Sequence, residues 1–188
     1  MLKAFHTAKQ RMGLIGCALA SCLCLNACMP TEDVNFERYT LTQDVDPSVY
    51  ESKYKAEVKL APILDQGGVV IQISDVSLRP AKNYRFSSQL SAELTVLLLN
   101  ELQKTEINPR YSFTLYVTKF QGTLDGKVLV EALAQVTDSR RNRVVFSQSY
   151  FKEDTQKDDG YGSLVQSLKD NFIALTQELL VDFQAKQK

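Results

Sequence analysis

The sequence predicts an α+β domain: an antiparallel β-sheet with two amphipathic helices packed on one face. Three observations carry this expectation. Six short segments alternate apolar and polar residues or read as compact apolar strands, and turn residues separate most of them. Two longer segments place leucines at helical spacing. The strands come as a run, then a helix, then hairpin-linked strands, then a second helix, an order that favours antiparallel pairing with the helices gathered on one side.

The first 27 residues stand apart from this domain. Lys3, Lys9 and Arg11 form a positively charged start with no acid, and Met12 to Leu25 is an uncharged, mostly apolar run of fourteen residues. That layout is a secretory signal peptide, and the run is short for a membrane-spanning helix of about 20 residues. All four cysteines, Cys17, Cys22, Cys24 and Cys28, fall in or just after it. They lie among Ala, Leu and Gly with His6 as the chain's one histidine, which suits neither a metal site nor a disulfide framework. Leu25-Asn26-Ala27-Cys28 resembles a bacterial lipobox, in which the residue before the lipidated cysteine is small. Leu19-Ala20-Ser21-Cys22 satisfies the same pattern, as does the box ending at Cys17, but Cys17 leaves too short an apolar run after Arg11. Cys28 is the expected anchor because it is followed at once by the polar MPTEDVN, whereas cutting before Cys22 leaves Leu-Cys-Leu on the mature arm. The expected organisation is a signal peptide over 1–27, a lipidated arm over 28–35 and a domain over 36–188. Met29 is not the aspartate that favours inner-membrane retention, so the periplasmic face of the outer membrane is the expected location.

Composition narrows the function. The leader holds three of the 22 basic residues and none of the 22 acidic ones, which leaves the rest of the chain slightly acidic. Nucleic-acid binding needs concentrated positive charge and is not expected. Beyond Cys28 the chain has no cysteine, no histidine and no tryptophan. Cysteine–histidine pairs, Ser-His-Asp triads and histidine-containing metal sites therefore have no residues to use. Asp154, Asp158 and Asp159 cluster in KEDTQKDDGYG but lack the alternation and terminal Glu of a calcium loop, and the segment reads as a solvated loop before a helix. No catalytic, cofactor or metal-ligating residue is expected, and the chain reads as non-enzymatic.

Along the domain, Phe36 to Thr42 and Tyr54 to Leu60 alternate as half-buried strands, and Pro62 ends the second. Gly67-Gly68 turns the chain into a third strand, Val69 to Ser74, and Asp75 and Pro80 to Asn83 read as punctuation. Ser87 and Ser88 offer N-caps for a helix to about Lys104, with Leu90, Leu94, Leu97, Leu98 and Leu102 on one face. Tyr111, Phe113, Leu115 and Val117 then alternate with polar residues until Phe120 breaks phase, which fits a β-bulge. Lys127 to Val136 continues as strand, Asp138 to Asn142 turns, and Val144 to Phe151 returns. The last helix is expected from Tyr161 to about Phe183, with Leu164, Leu168, Phe172, Leu175 and Leu179 as its buried stripe.

The segment VTKFQGTLDGKVLVEA, from Val117, resembles the PqiC-type lipoproteins, the ABC-type transport auxiliary lipoproteins. The resemblance rests on Phe120-x-Gly122 followed by Asp125-Gly126-Lys127-Val128, on Asp159-Gly160-Tyr161 opening the last helix, and on GGVVIQISD from Gly67. It extends over about Tyr39 to Leu180. Phe86 stands where the family often has tryptophan, and Ser88 stands near a proline position. The resemblance implies a non-enzymatic, outer-membrane-anchored subunit of an MCE-type lipid transport system. Its implied partner is a tunnel-forming MCE protein of the inner membrane, and a homo-oligomer is implied as well. Gly122 and Gly126 are expected to supply positive φ or a bulge, Asp125 to cap that turn, and Gly160 to break the chain before the helix. A periplasmic lipid carrier and a structural envelope lipoprotein are the alternatives. A carrier needs an apolar cavity of several hundred cubic ångströms, whereas a two-layer domain of this size is expected to pack solid.

Overall fold

The computed structural model describes residues 36–187; the expected Cys28 anchor and the expected signal peptide lie outside the described residues. The elements run β1 (Glu37–Tyr39), β2 (Lys55–Leu60), β3 (Gly68–Ser74), β4 (Ser77–Phe86), α1 (Leu90–Gln103), β5 (Tyr111–Thr123), β6 (Lys127–Asp138), β7 (Arg143–Thr155) and α2 (Tyr161–Gln187). Short 3₁₀ turns at Pro47–Glu51 and Leu64–Gln66 flank β2.

All seven strands form one sheet in the order β1-β4-β3-β5-β6-β7, with β2 also on β5. The α+β class is as expected, but the sheet is mixed rather than antiparallel. β5, β6 and β7 form an antiparallel meander, and β3 and β4 a hairpin. Three pairings are parallel: β1 with β4, β2 with β5, and β3 with β5. The long strand β5 explains this. Its first half takes β2 on the edge away from β6, from Lys55↔Ser112 to Leu60↔Val117. Its second half takes β3 on that same edge, at Val70↔Gln121 to Gln72↔Thr123. Chain that includes β4 and α1 separates both strands from β5, which is the crossover length a parallel pair needs.

One layer of core fills the space between sheet and helices. Phe113, Leu115 and Val117 of β5 and Val128, Val130, Ala132, Ala134 and Val136 of β6 are fully buried, in step with the two-residue period. The predicted stripes of both helices are buried against them. The phase break in β5 is real: the β5–β6 register shifts between Val117 and Lys119, so Thr118 is the extra residue that returns Phe120 to the core.

Three local readings change. Ser77–Phe86 is a ten-residue strand, not punctuation. Pro80 misleads a sequence reading because it cannot donate to a ladder, yet an edge strand tolerates it with the missing N–H turned outward. Helix α1 starts later than expected, with Gln89 as its N-cap and no side-chain cap. The hydroxyls of Ser87 and Ser88 instead donate to Glu93 Oε1. In addition, β7 extends through Thr155, so Lys152 to Asp154 belong to a strand and not to a loop.

Candidate functional site

The residues singled out by sequence gather at two places. Phe120 is 1% exposed, and its ring lies 6.1 Å from Phe86 and 6.5 Å, edge-on, from Phe172 of α2. It pins the sheet to the last helix. Gly122 follows on the helix-facing side. Its φ is not positive, contrary to the expectation; its reason is space. A Cβ there would stand 2.8 and 2.9 Å from the two methyls of Leu164 and 3.3 Å from Ile71 Cδ1. Gly126 does adopt positive φ, 80°, at the β5–β6 turn. That turn is closed by the Gly126 N–H to the Thr123 carbonyl at 3.2 Å and by the Lys127 N–H to Thr123 Oγ1 at 2.9 Å. Thr123 is thus the residue that caps it. Asp125 bonds the Thr123 side chain, which with its own backbone holds its carboxyl below the ordinary aspartate range.

Asp159-Gly160-Tyr161 opens α2 close to the β5–β6 turn, whose Gly126 carbonyl accepts the Gln156 N–H at 2.8 Å. Gly160 has φ 102°, and its carbonyl accepts from Gln156 Nε2 at 2.7 Å and from the Leu164 N–H at 3.2 Å. Asp158 donates its N–H to Ser163 Oγ at 3.1 Å, so the acidic segment organises the helix start. Tyr161 then stacks on Tyr84 of β4, centroids 4.1 Å apart and planes at 13°. Tyr39 of β1 completes the cluster. Burial, a bond to Glu37, and the neighbouring Tyr84 and Tyr161 raise its phenol above the ordinary tyrosine range. Beside the stack lies a surface hollow of about 430 Å³, lined by Arg79, Pro80, Lys82, Asn83, Tyr84 and Tyr161. This corner is where the described chain begins.

Sequence reading missed two buried acids. Glu93 and Glu101 of α1 are each 4% exposed, on the same helical face as the leucine stripe. Glu93 accepts the Leu41 N–H at 2.5 Å and so fastens the segment after β1 to α1. Glu101 accepts from Lys104 Nζ at 2.5 Å and from Gln177 Nε2 of α2 at 3.0 Å, bridging the two helices. Their spacing was a usable signal: positions 93 and 101 fall three residues beyond Leu90 and Leu98.

Among the described residues no group of three or more potential ligands could hold a metal ion, and no helix is long and apolar enough to cross a membrane. Asp154, Asp158 and Asp159 do not converge; the first lies in β7 and the others precede α2. The fold and its motif residues define a class: a small α+β domain whose marked residues secure its architecture.

Comparison with known proteins places that class. The chain belongs to the ABC-type transport auxiliary lipoprotein component family, whose model matches residues 39–179. The family is a lipoprotein component of a transport system. Two solved structures share the fold. An uncharacterized protein is 20% identical with a TM-score of 0.65, covering 79% of this chain and 99% of its own. A protein from Xanthomonas campestris is 14% identical with a TM-score of 0.60, covering 72% and 89% respectively. No curated protein matches.

Proposed function

We propose that this chain is a non-enzymatic lipoprotein subunit that docks the tunnel-forming MCE protein of an intermembrane lipid transport system to the outer membrane. The observation that carries the reading is the family match across nearly the whole folded domain. The packing supports recognition over carriage. The space between sheet and helices is filled by Phe113, Phe120, Phe172, Phe183 and the leucines of both helices, all close to fully buried, so the layer where a carrier would hold lipid is occupied.

Cys28 is the lipidated residue in this reading. Three acyl chains on one cysteine exceed the two signals that stable anchoring needs. The arm from Cys28 to Phe36 is eight residues, which holds the start of the domain within about 29 Å of the anchor.

Affinity capture of the full chain from envelope after cross-linking in cells tests this. Recovery of an MCE protein with the wild type, lost with Cys28→Ala, is the expected result. Recovery of wall-remodelling enzymes, or of no MCE protein, overturns it.

A further inference from the structure

The end of the sheet opposite the Gly126 turn carries charge that the fold does not use. The β6–β7 hairpin there reads Asp138-Ser139-Arg140-Arg141-Asn142-Arg143. Its backbone is fixed by Asp138, 3% exposed, which accepts the Arg140 N–H on Oδ1 at 3.0 Å and the Arg141 N–H on its carbonyl at 3.1 Å. The Ser139 N–H donates to the Arg110 carbonyl at 2.9 Å, and Asn142 closes the turn with φ 46°. A turn pinned this way presents Arg140, Arg141 and Arg143 to solvent, and all three are exposed. None of the three guanidiniums has an ion-pair partner among the described residues, whereas six lysines of the domain each hold a carboxylate. Further cations gather at the same end. Lys55 opens β2 opposite Ser112 of β5, one residue from the Tyr111↔Asp138 pair, and Lys186 lies in the last turn of α2, 5.2 Å from the Phe146 ring centre. Two acids that could balance them, Glu101 and Asp138, are already engaged by Lys104 and Arg110, which leaves Glu106 of the α1–β5 connection. The chain beyond the leader is slightly acidic, so this concentration of positive charge comes from the fold and not from composition.

We propose that this arginine hairpin rests on the surface of an anionic phospholipid bilayer, with its guanidiniums on headgroup phosphates. A guanidinium fork matches two phosphate oxygens at once and is more weakly hydrated than an ammonium. The layout of the cations selects a bilayer over a single bound anion. They are spread across the end of the domain and do not converge on a hollow. The hollow at this end, about 490 Å³, has Arg110 as its one cation, and Arg110 is already engaged by Tyr111 and Asp138. A plane of charged headgroups can meet a broad, shallow patch all at once. Two exposed side chains add contact of the kind that sits at headgroup level. Val144, next to Arg143, is 51% exposed. Tyr50, 72% exposed, belongs to the 3₁₀ turn whose Ser48 carbonyl accepts from Gln103 at the end of α1. The inference needs only that a lipoprotein has a membrane within reach, and it is independent of which protein the chain docks.

A fluorophore on Ser139→Cys, at the exposed tip, tests it. Leu124→Cys, 71% exposed on the turn at the other end of the sheet, is the control, and the unsubstituted chain gives the background from its own cysteines. The full chain is reconstituted into vesicles of phosphatidylcholine, alone or with phosphatidylglycerol as about a quarter of the lipid. A trace of headgroup-nitroxide lipid serves as quencher. Quenching at position 139 is expected to appear with phosphatidylglycerol, to exceed that at position 124, and to vanish at about 1 M salt, where the screening length falls to about 3 Å. Glutamine at Arg140, Arg141 and Arg143 together is expected to abolish it, because three cations near such a surface are worth roughly a hundredfold in the population held there. Lysine at the same positions keeps the charge and is expected to retain most of the quenching, with circular dichroism unchanged in both variants. Quenching that ignores phosphatidylglycerol, is equal at position 124, or survives the glutamine variant overturns the proposal. Cross-linking of Ser139→Cys to an acidic protein in native envelope, with no quenching that depends on phosphatidylglycerol, also overturns it and assigns the hairpin to a protein partner.

Discussion

Replacing Gly122 tests the reason the structure gives for that glycine. In Gly122→Ala the new methyl meets both Leu164 methyls at under 3 Å, whereas carbon atoms settle at about 3.5–4.0 Å. Leu164, 3% exposed, must move by roughly an ångström within a filled core. Overpacking of this kind costs about 1–3 kcal/mol. The obstacle is the end of one side chain, so the lower part of that range applies, and about 0.4–1 kcal/mol returns because alanine restricts the unfolded chain. The net expectation is a loss of about 0.5–1.5 kcal/mol for Gly122→Ala, and about 3 kcal/mol for Gly122→Val, whose branch cannot avoid Leu164. Denaturant unfolding of the full chain in detergent, followed by circular dichroism, measures both. The decisive comparison adds Leu164→Ala, which vacates the contested space. The two changes should couple, with the pair less destabilised than the sum by about 1 kcal/mol or more. Strict additivity, or a Gly122→Val protein as stable as the wild type, would refute the close-approach argument.

Three further outcomes follow from named contacts. Glu101→Ala removes the acceptor for Lys104 and Gln177 and should cost about 1–3 kcal/mol, with Glu101→Gln recovering part of it, read as denaturation midpoints. Thr95→Val leaves the Val58 N–H without its acceptor and should cost about 1 kcal/mol; faster hydrogen exchange at the Val58 amide, with β5 amides unchanged, localises the effect. Burial, and then the bond to Asp182, raise the Tyr150 phenol above its ordinary value of about 10. A raised folded-state value means the contribution is complete below the ordinary value and is lost as pH rises from there through the raised one. Stability should therefore fall above about pH 10, and Tyr150→Phe should lessen that alkaline loss while lowering stability at pH 7; an unchanged alkaline profile in the variant counts against the assignment.

Several features were legible because they depend on local period and local backbone. The leucines of α1 and α2 announce their faces at any distance from their partners. Gly126 sits in a turn closed within five residues, and Gly160 immediately precedes its helix, so both conformations follow from neighbouring sequence. The family resemblance at Phe120 to Val128 and Asp159 to Tyr161 falls on such segments. The anchor expected at Cys28 rests on a motif of four residues and needs no fold. Less was legible where a residue answers to something far along the chain. Pro80 looked like a break because only the sheet order shows that its stretch of β4 lies beyond β1, paired with β3 alone. Ser87 and Ser88 looked like caps because Glu93, which takes their hydroxyls, competes for them in space.

Local pattern carries the α+β class, most element positions, the bulge in β5 and the absence of histidine and cysteine chemistry in the domain. These rest on side-chain period, turn chemistry and composition, which act over a few residues. Tertiary structure alone decided that β2 and β3 share one edge of β5 in parallel, that Gly122 makes room for Leu164, and that Glu93 and Glu101 are buried. It also decided that β1 and β7 end the sheet. Each of these is a matter of which distant atoms compete for the same space or the same hydrogen bond, and no local pattern encodes that.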